Sequence, residues 1–211
     1  MGLLKFDALD KSPLQTDPYS YLVVENFVDE AAKESILGGF PEMPDAGSFP
    51  LTEIEIGPGL GAVFDALKGP EFRKAIEEKF DLDLNGRATM FTLRGRCDAR
   101  DGRIHTDSKK KIITVLLYLN EGWNEDGGRL RLLRSGEDLN AIVAEVPPKF
   151  GTLLVFRRSD NSWHGHEQYV GPRKVIQMNW VVSDKVAAWE QMRHRISAAA
   201  KRLRGGRDRA A

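Results

Sequence analysis

The sequence predicts an α+β fold in which a large antiparallel sheet or barrel is backed by helices that precede it in the chain. Three observations carry this. Helix signals fall in the first 87 residues, strand signals dominate from Ala88 to Ser183, and Gly, Pro, Asn and Asp punctuate the strands. The 211 residues suit one domain with a sizeable core. That domain is expected over 1–183, helical over about 1–87 and sheet over about 88–183, with 184–211 as a separate basic tail.

Tyr21-Leu22-Val23-Val24 is a short apolar run of strand type. Asp29 then caps a helix that runs to about Ile36 and that Gly38-Gly39 stops. Pro41, Pro44, Gly47 and Pro50 mark a loop. Gly57-Pro58-Gly59-Leu60-Gly61 lacks the preceding strand and the lysine of a phosphate loop, so it reads as a turn. A second helix is expected over 60–67. A third begins at Pro70, whose missing N–H is harmless in a first turn, and it carries Phe72, Ile76 and Phe80 four apart on one buried face. Strands are then expected over 88–93, 111–119, 129–133, 141–146, 151–157 and 173–182, each bounded by turn residues. In the tail, Val186, Trp189, Met192, Ile196, Ala199 and Leu203 recur every three or four residues, as on an amphipathic helix. From Lys185 onward eight Lys or Arg face only Glu190 and Asp208. We read that helix as packed on its own domain with a basic end, the alternatives being dimerisation or docking to an acidic partner.

The charge balance, 31 basic against 31 acidic residues, argues against a nucleic-acid binder. Cys97 is the only cysteine, so neither an intrachain disulfide nor a cysteine-based zinc site can form, and any metal must be held by His and carboxylate. No run of eighteen apolar residues occurs, so no membrane span is expected and a cytoplasmic protein is the default.

His105-Thr106-Asp107 places an imidazole and a carboxylate two residues apart, on one face of extended backbone. Alone this is a weak signal, since four His and sixteen Asp make a chance pairing common. Its surroundings strengthen it. The run Ile112 to Asn120 is apolar enough to be buried on both faces, with Thr114, Leu116 and Tyr118 sharing one of them. Ser162-Trp163-His164-Gly165-His166 supplies further imidazoles from a loop or strand edge. On the last strand Ile176, Met178, Trp180 and Val182 form an apolar face, and Arg173, Val175, Gln177 and Asn179 form the other. A wet strand face would show the same alternation. With Tyr118 beside it, however, the Arg173 guanidinium makes a bidentate seat for a carboxylate.

Taken in order, His105-Thr106-Asp107, Tyr118-Leu119-Asn120, Gly127-Gly128-Arg129-Leu130-Arg131-Leu132, the stretch from Pro148 to Phe156, Ser162-Trp163-His164 and Arg173 resemble the Fe(II)- and 2-oxoglutarate-dependent dioxygenases, in the branch similar to prolyl hydroxylases. The resemblance covers 88–183. It implies a double-stranded β-helix, or jelly-roll, core. It implies Fe(II) held by His105, Asp107 and His164, with Arg173 and Tyr118 taking the distal carboxylate of 2-oxoglutarate and Leu130 lining the pocket. It further implies O2 as co-substrate, ascorbate as a candidate auxiliary reductant, and hydroxylation of an unactivated C–H with release of succinate and CO2. Two histidines and a carboxylate suit this because they leave adjacent coordination positions open.

The sequence departs from the branch in one respect. Glu often follows the distal His directly, whereas here Gly165 follows His164 and Glu167 follows His166. His166 is therefore a rival ligand, and His164 is preferred because its nine-residue separation from Arg173 matches the family pattern. Gln177 is expected to hydrogen-bond co-substrate or substrate, as is Asn179. Lys109-Lys110-Lys111 reads as a solvated turn, with attraction of an anionic substrate the alternative. Trp123 and Trp163 could contact substrate or simply pack, and His194 is expected at the surface of the tail helix. The substrate is expected to be an amino-acid side chain, a peptide or protein, or a small metabolite, acted on by a monomer or by a homodimer joined through the C-terminal helix. Desaturation or ring closure on the same iron, and a non-catalytic sensor barrel, are the competing readings; halogenation is disfavoured because Asp107 is present.

Overall fold

The computed structural model of the chain describes residues 2–183, with Lys185, Ala188 and Met192 beyond them. The expected tail helix, its role in dimerisation and His194 thus lie outside the described residues.

The helices pack on one side of the sheet. α1 (Phe6–Lys11) was not expected, because six residues are too few to show a period; it buries Leu9, and the Ser12 hydroxyl returns to the Ala8 carbonyl at its end. β1 (Tyr21–Val24) forms where expected. Asp29 does cap, accepting from the Ala31 N–H at 3.2 Å, and a 3-10 turn (Glu30–Ala32) leads into α2 (Lys33–Gly38). β2 is the two-residue strand Phe49–Pro50.

The stretch 57–61 is not a turn. α3 (Pro58–Lys68) begins there, with Pro58 in the first turn and Gly57 before it. Gly59 is required by packing: a Cβ on it would lie 2.3 Å from Ser35 Oγ and 2.4 Å from the Ser35 carbonyl oxygen, so the α2–α3 contact is closed to any larger residue. α4 (Pro70–Phe80) buries Phe72, Ile76 and Phe80 as the spacing predicts.

The remaining strands are β3 (Thr89–Cys97), β4 (Lys111–Tyr118), β5 (Leu130–Leu133), β6 (Ile142–Val146), β7 (Leu153–Arg157), β8 (His164–Gly165) and β9 (Gly171–Val181). They build a six-stranded sheet in the order β1-β7-β4-β9-β3-β2 and a three-stranded sheet in the order β6-β5-β8. Every pairing of strands is antiparallel. β3 runs past the expected end at Leu93 to Cys97, with an irregularity between Arg94 and Arg96.

Register divides the large sheet into two unlike faces. Ile113 pairs with Trp180, Val115 with Met178 and Leu117 with Ile176; these side chains join Leu153, Val155 and the helices in one apolar cluster. Phe72 of α4 stacks on Trp180 at 5.9 Å between centroids. The other face carries Leu154, Phe156, Tyr118 and Val175, which pack against Leu130, Leu132 and Val146 of the small sheet. The space between two facing antiparallel sheets is that of the expected jelly roll, and the helices back only the larger sheet. No helix among the described residues is long and apolar enough to cross a membrane.

Candidate active site

His105 and His164 are brought together by backbone. They form an isolated antiparallel bridge in which each N–H donates to the other's carbonyl at 3.0 Å, and their rings lie 4.3 Å apart between centroids. β8 ties the same His164 to Leu132 of β5. Asp107 follows His105 by one extended step, on the same side. The ligand atoms of His105, Asp107 and His164 all lie within 4.8 Å of one another, and theirs is the only such group of His, Cys, Asp or Glu among the described residues.

The contacts behind these side chains suit a cation. His105 Nδ1 lies 2.9 Å from the Arg103 carbonyl, and His164 Nδ1 2.9 Å from the Ser162 carbonyl. A ring nitrogen facing a carbonyl carries the hydrogen, so on both rings Nε2 is the atom left to meet a metal. Burial holds the His164 imidazole neutral, with its pKa lowered to about 4 despite the neighbouring Asp107. Burial works against ionisation of Asp107 too, but there Lys111, His164 and the Thr114 hydroxyl prevail and hold the carboxyl at about 2. Lys111 Nζ donates to Asp107 Oδ1 at 2.6 Å, and Thr114 donates to Oδ2. Two imidazoles, each held through Nδ1, and one carboxylate make a donor set that fits Fe(II).

His166 stands apart from this group. Its Nδ1 meets the Glu167 carbonyl at 2.7 Å, its N–H donates to the Gly102 carbonyl, and burial with Arg173 and Arg94 nearby lowers its pKa to about 4. The geometry therefore groups His164 with His105 and Asp107, as the spacing to Arg173 suggests.

The cluster opens on a cavity of about 400 Å³ whose wall also carries Arg173, Leu130, Gln177, Val175, Leu116 and Phe156. Arg173 is 5% exposed, so its charge must be met by protein or ligand. Its Nε donates to the Gly128 carbonyl at 2.8 Å, its Nη2 donates to the Tyr118 hydroxyl at 3.3 Å, and its guanidinium lies 5.1 Å from the Tyr118 ring. Gly128 has φ +77°, and a Cβ there would come within 2.6 Å of the Trp123 ring, so glycine is needed to present that carbonyl. Tyr118 is wholly buried and is not itself on the cavity wall. Burial raises its pKa more than Arg173 lowers it, so the phenol keeps its proton.

Several contributors escaped the sequence reading. Lys111 is no solvated charge but the ion-pair partner of Asp107; Lys109 behaves as the run suggested, in an exposed pair with Asp160 at 3.9 Å. Arg94, Asp101 and Arg103 also line the cavity, Arg94 pairing with Asp101 at 2.9 Å. The signal for Arg94 was its alternation with Thr92, which pairs with Gln177, while Arg94 pairs with Val175. Trp123 packs on Tyr169 and Trp163 covers Gly136, and neither lines this cavity.

Residues 95–182 match the 2OG-Fe(II) oxygenase superfamily. No curated protein matches the chain. Among solved structures, a prolyl-4-hydroxylase from Pseudomonas putida aligns with TM-score 0.53 at 19% identity, over 84% of this chain and 93% of that one. The viral collagen prolyl hydroxylase of Paramecium Bursaria Chlorella virus-1, solved with 2OG, aligns with TM-score 0.51 at 14% identity, over 77% and 95%. HygX from Streptomyces hygroscopicus, solved with nickel and 2-oxoglutarate, gives 0.53 at 10% identity, over 79% and 83%. At such identities the structural likeness is one of fold. The matched stretch contains His105, Asp107, His164 and Arg173, so the cluster and the buried arginine both lie in the part of the chain that is similar to the 2OG-Fe(II) oxygenase superfamily.

Proposed function

We propose that the chain hydroxylates an unactivated C–H bond of an amino-acid side chain, a peptide or a small metabolite. The observation that carries this reading is the His105, Asp107 and His164 cluster at a cavity whose wall also bears a buried arginine. Bound by these three side chains, Fe(II) supplies coordination of the 2-oxoglutarate keto acid and activation of O2, with succinate and CO2 released. Arg173 meets the far carboxylate of 2-oxoglutarate through donors that Gly128 and Tyr118 leave free, and the two contacts already made fix the fork in place. The protonated Tyr118 hydroxyl supports that seat from behind Arg173. Leu116, Leu130 and Val175 keep water from the co-substrate, and Gln177 adds a polar contact on the same wall.

Anaerobic addition of Fe(II) and 2-oxoglutarate should produce a weak visible charge-transfer band, and admitted O2 should then yield succinate even before the substrate is known. A band without succinate across a panel of peptides and metabolites would overturn the enzymatic reading in favour of a sensor. Stimulated succinate release in that panel identifies the substrate.

A further inference from the structure

Asp107 is the end of a chain of side chains that crosses the large sheet. Thr114 donates to Asp107 Oδ2, Asn179 Nδ2 donates to Thr114 Oγ1 at 2.8 Å, and Gln177 Nε2 donates to Asn179 Oδ1 at 3.2 Å. The sheet itself lays it out, because Thr114 and Asn179 are register partners on β4 and β9 and Gln177 lies one period along the same face.

The direction of this chain follows from chemistry. A carboxylate paired with Lys111 has no hydrogen to give, so the single Thr114 proton must go to Asp107. Thr114 oxygen can then only accept from Asn179, which requires the amide NH2 at that end and turns the Asn179 carbonyl toward Gln177. Gln177 must in turn offer its own NH2. Thr114 and Asn179 are 2% and 3% exposed, so water cannot substitute for these partners without cost. A hydroxyl that accepts one bond donates a stronger one, and every link here polarises the next in the same sense.

We propose that Asn179 and Gln177 are positioning residues that act through Thr114 to fix the plane of the Asp107 carboxylate for a divalent cation. The inference rests on the reading of Asp107 as a metal ligand. Lys111 holds Oδ1 and the relay holds Oδ2, so the carboxylate is oriented before metal arrives. Gln177 is on the cavity wall, and the outer end of the relay is therefore where a bound molecule can touch it.

Mn(II) binding, followed by the electron paramagnetic resonance signal of the free ion, tests this without turnover. Asn179→Leu and Thr114→Val should each weaken binding about tenfold. The double variant should bind no more weakly than either, since both break one chain. Thr114→Ser retains the hydroxyl and should bind like the parent. Should Asn179→Leu fail to fold, Gln177→Leu on the accessible wall gives a smaller loss that disappears in the Thr114→Val background. Losses that multiply in the double variant, or variants that bind as well as a parent that binds, overturn the relay alone. A parent that does not bind Mn(II) overturns the metal reading and the relay together.

Discussion

The two faces of the large sheet are both buried, yet they are made of different material. Toward the helices, Ile113, Val115, Leu117, Ile176, Met178 and Trp180 present only hydrocarbon, one thioether and one indole, and they join the helices in one apolar cluster. Toward the small sheet, Thr114, Arg173, Gln177 and Asn179 interrupt Leu116, Tyr118 and Val175, and each polar group has a partner. Burial alone does not distinguish the faces. What does is that one is closed by packing, which is indifferent to chemistry, and the other by hydrogen bonds that leave a cavity and fix which atoms face it. Substitutions on the first face should therefore change stability, and substitutions on the second should change ligand binding.

The largest effect is expected at the open edge of the cavity face. Asp107→Ala removes the only carboxylate of the cluster, so metal binding and succinate formation should fall to background while the fold survives. Full turnover by this variant would refute the metal assignment. Next is the closed face. Trp180 is 2% exposed and stacks on Phe72, so Trp180→Ala should cost about 3–5 kcal/mol of stability by urea denaturation. Mn(II) affinity of the folded fraction should be unchanged; a parallel loss of affinity would mean that the two faces are coupled. Arg173→Ala reverses the pattern. Truncation should cost about 2–5 kcal/mol of N-oxalylglycine affinity, read by titration of the Mn(II)-loaded protein, because the bound carboxylate is left without its charge partner. A loss confined to stability would show Arg173 to be structural.

Much of this division was legible in the sequence because β9 is long and alternates. Arg173, Val175, Gln177 and Asn179 against Ile176, Met178 and Trp180 is a period-two pattern that survives any small error in strand ends. The sequence could not say which face was wet, and only the partner strand answered that, by placing Thr114 and Tyr118 opposite. Lys111 was misread for a related reason. In a run of three lysines the sequence shows one charged turn, whereas the onset of β4 at Lys111 turns this side chain back onto Asp107. The 57–61 stretch failed because three glycines suggest a turn when considered alone. Gly59 is set by the approach of α2, a contact between segments over twenty residues apart that no local pattern encodes.

The smallest expected effect discriminates the two histidines that the sequence left in competition. His166 and His164 are both buried and both line the cavity, but only His164 joins the group whose ligand atoms lie within 4.8 Å. His166 is instead held by the Glu167 and Gly102 carbonyls, the first through Nδ1 and the second through its backbone N–H. His166→Asn keeps an N–H near the position of Nδ1 and removes the rest of the ring. Mn(II) affinity should then stay within about 0.5 kcal/mol of the parent, as for a site that shares no partner with the metal. His164→Asn, measured alongside, should abolish binding. The reverse outcome would move the third ligand to His166 and would require the β5–β8 pairing, which now fixes His164 opposite Leu132, to slip by two residues.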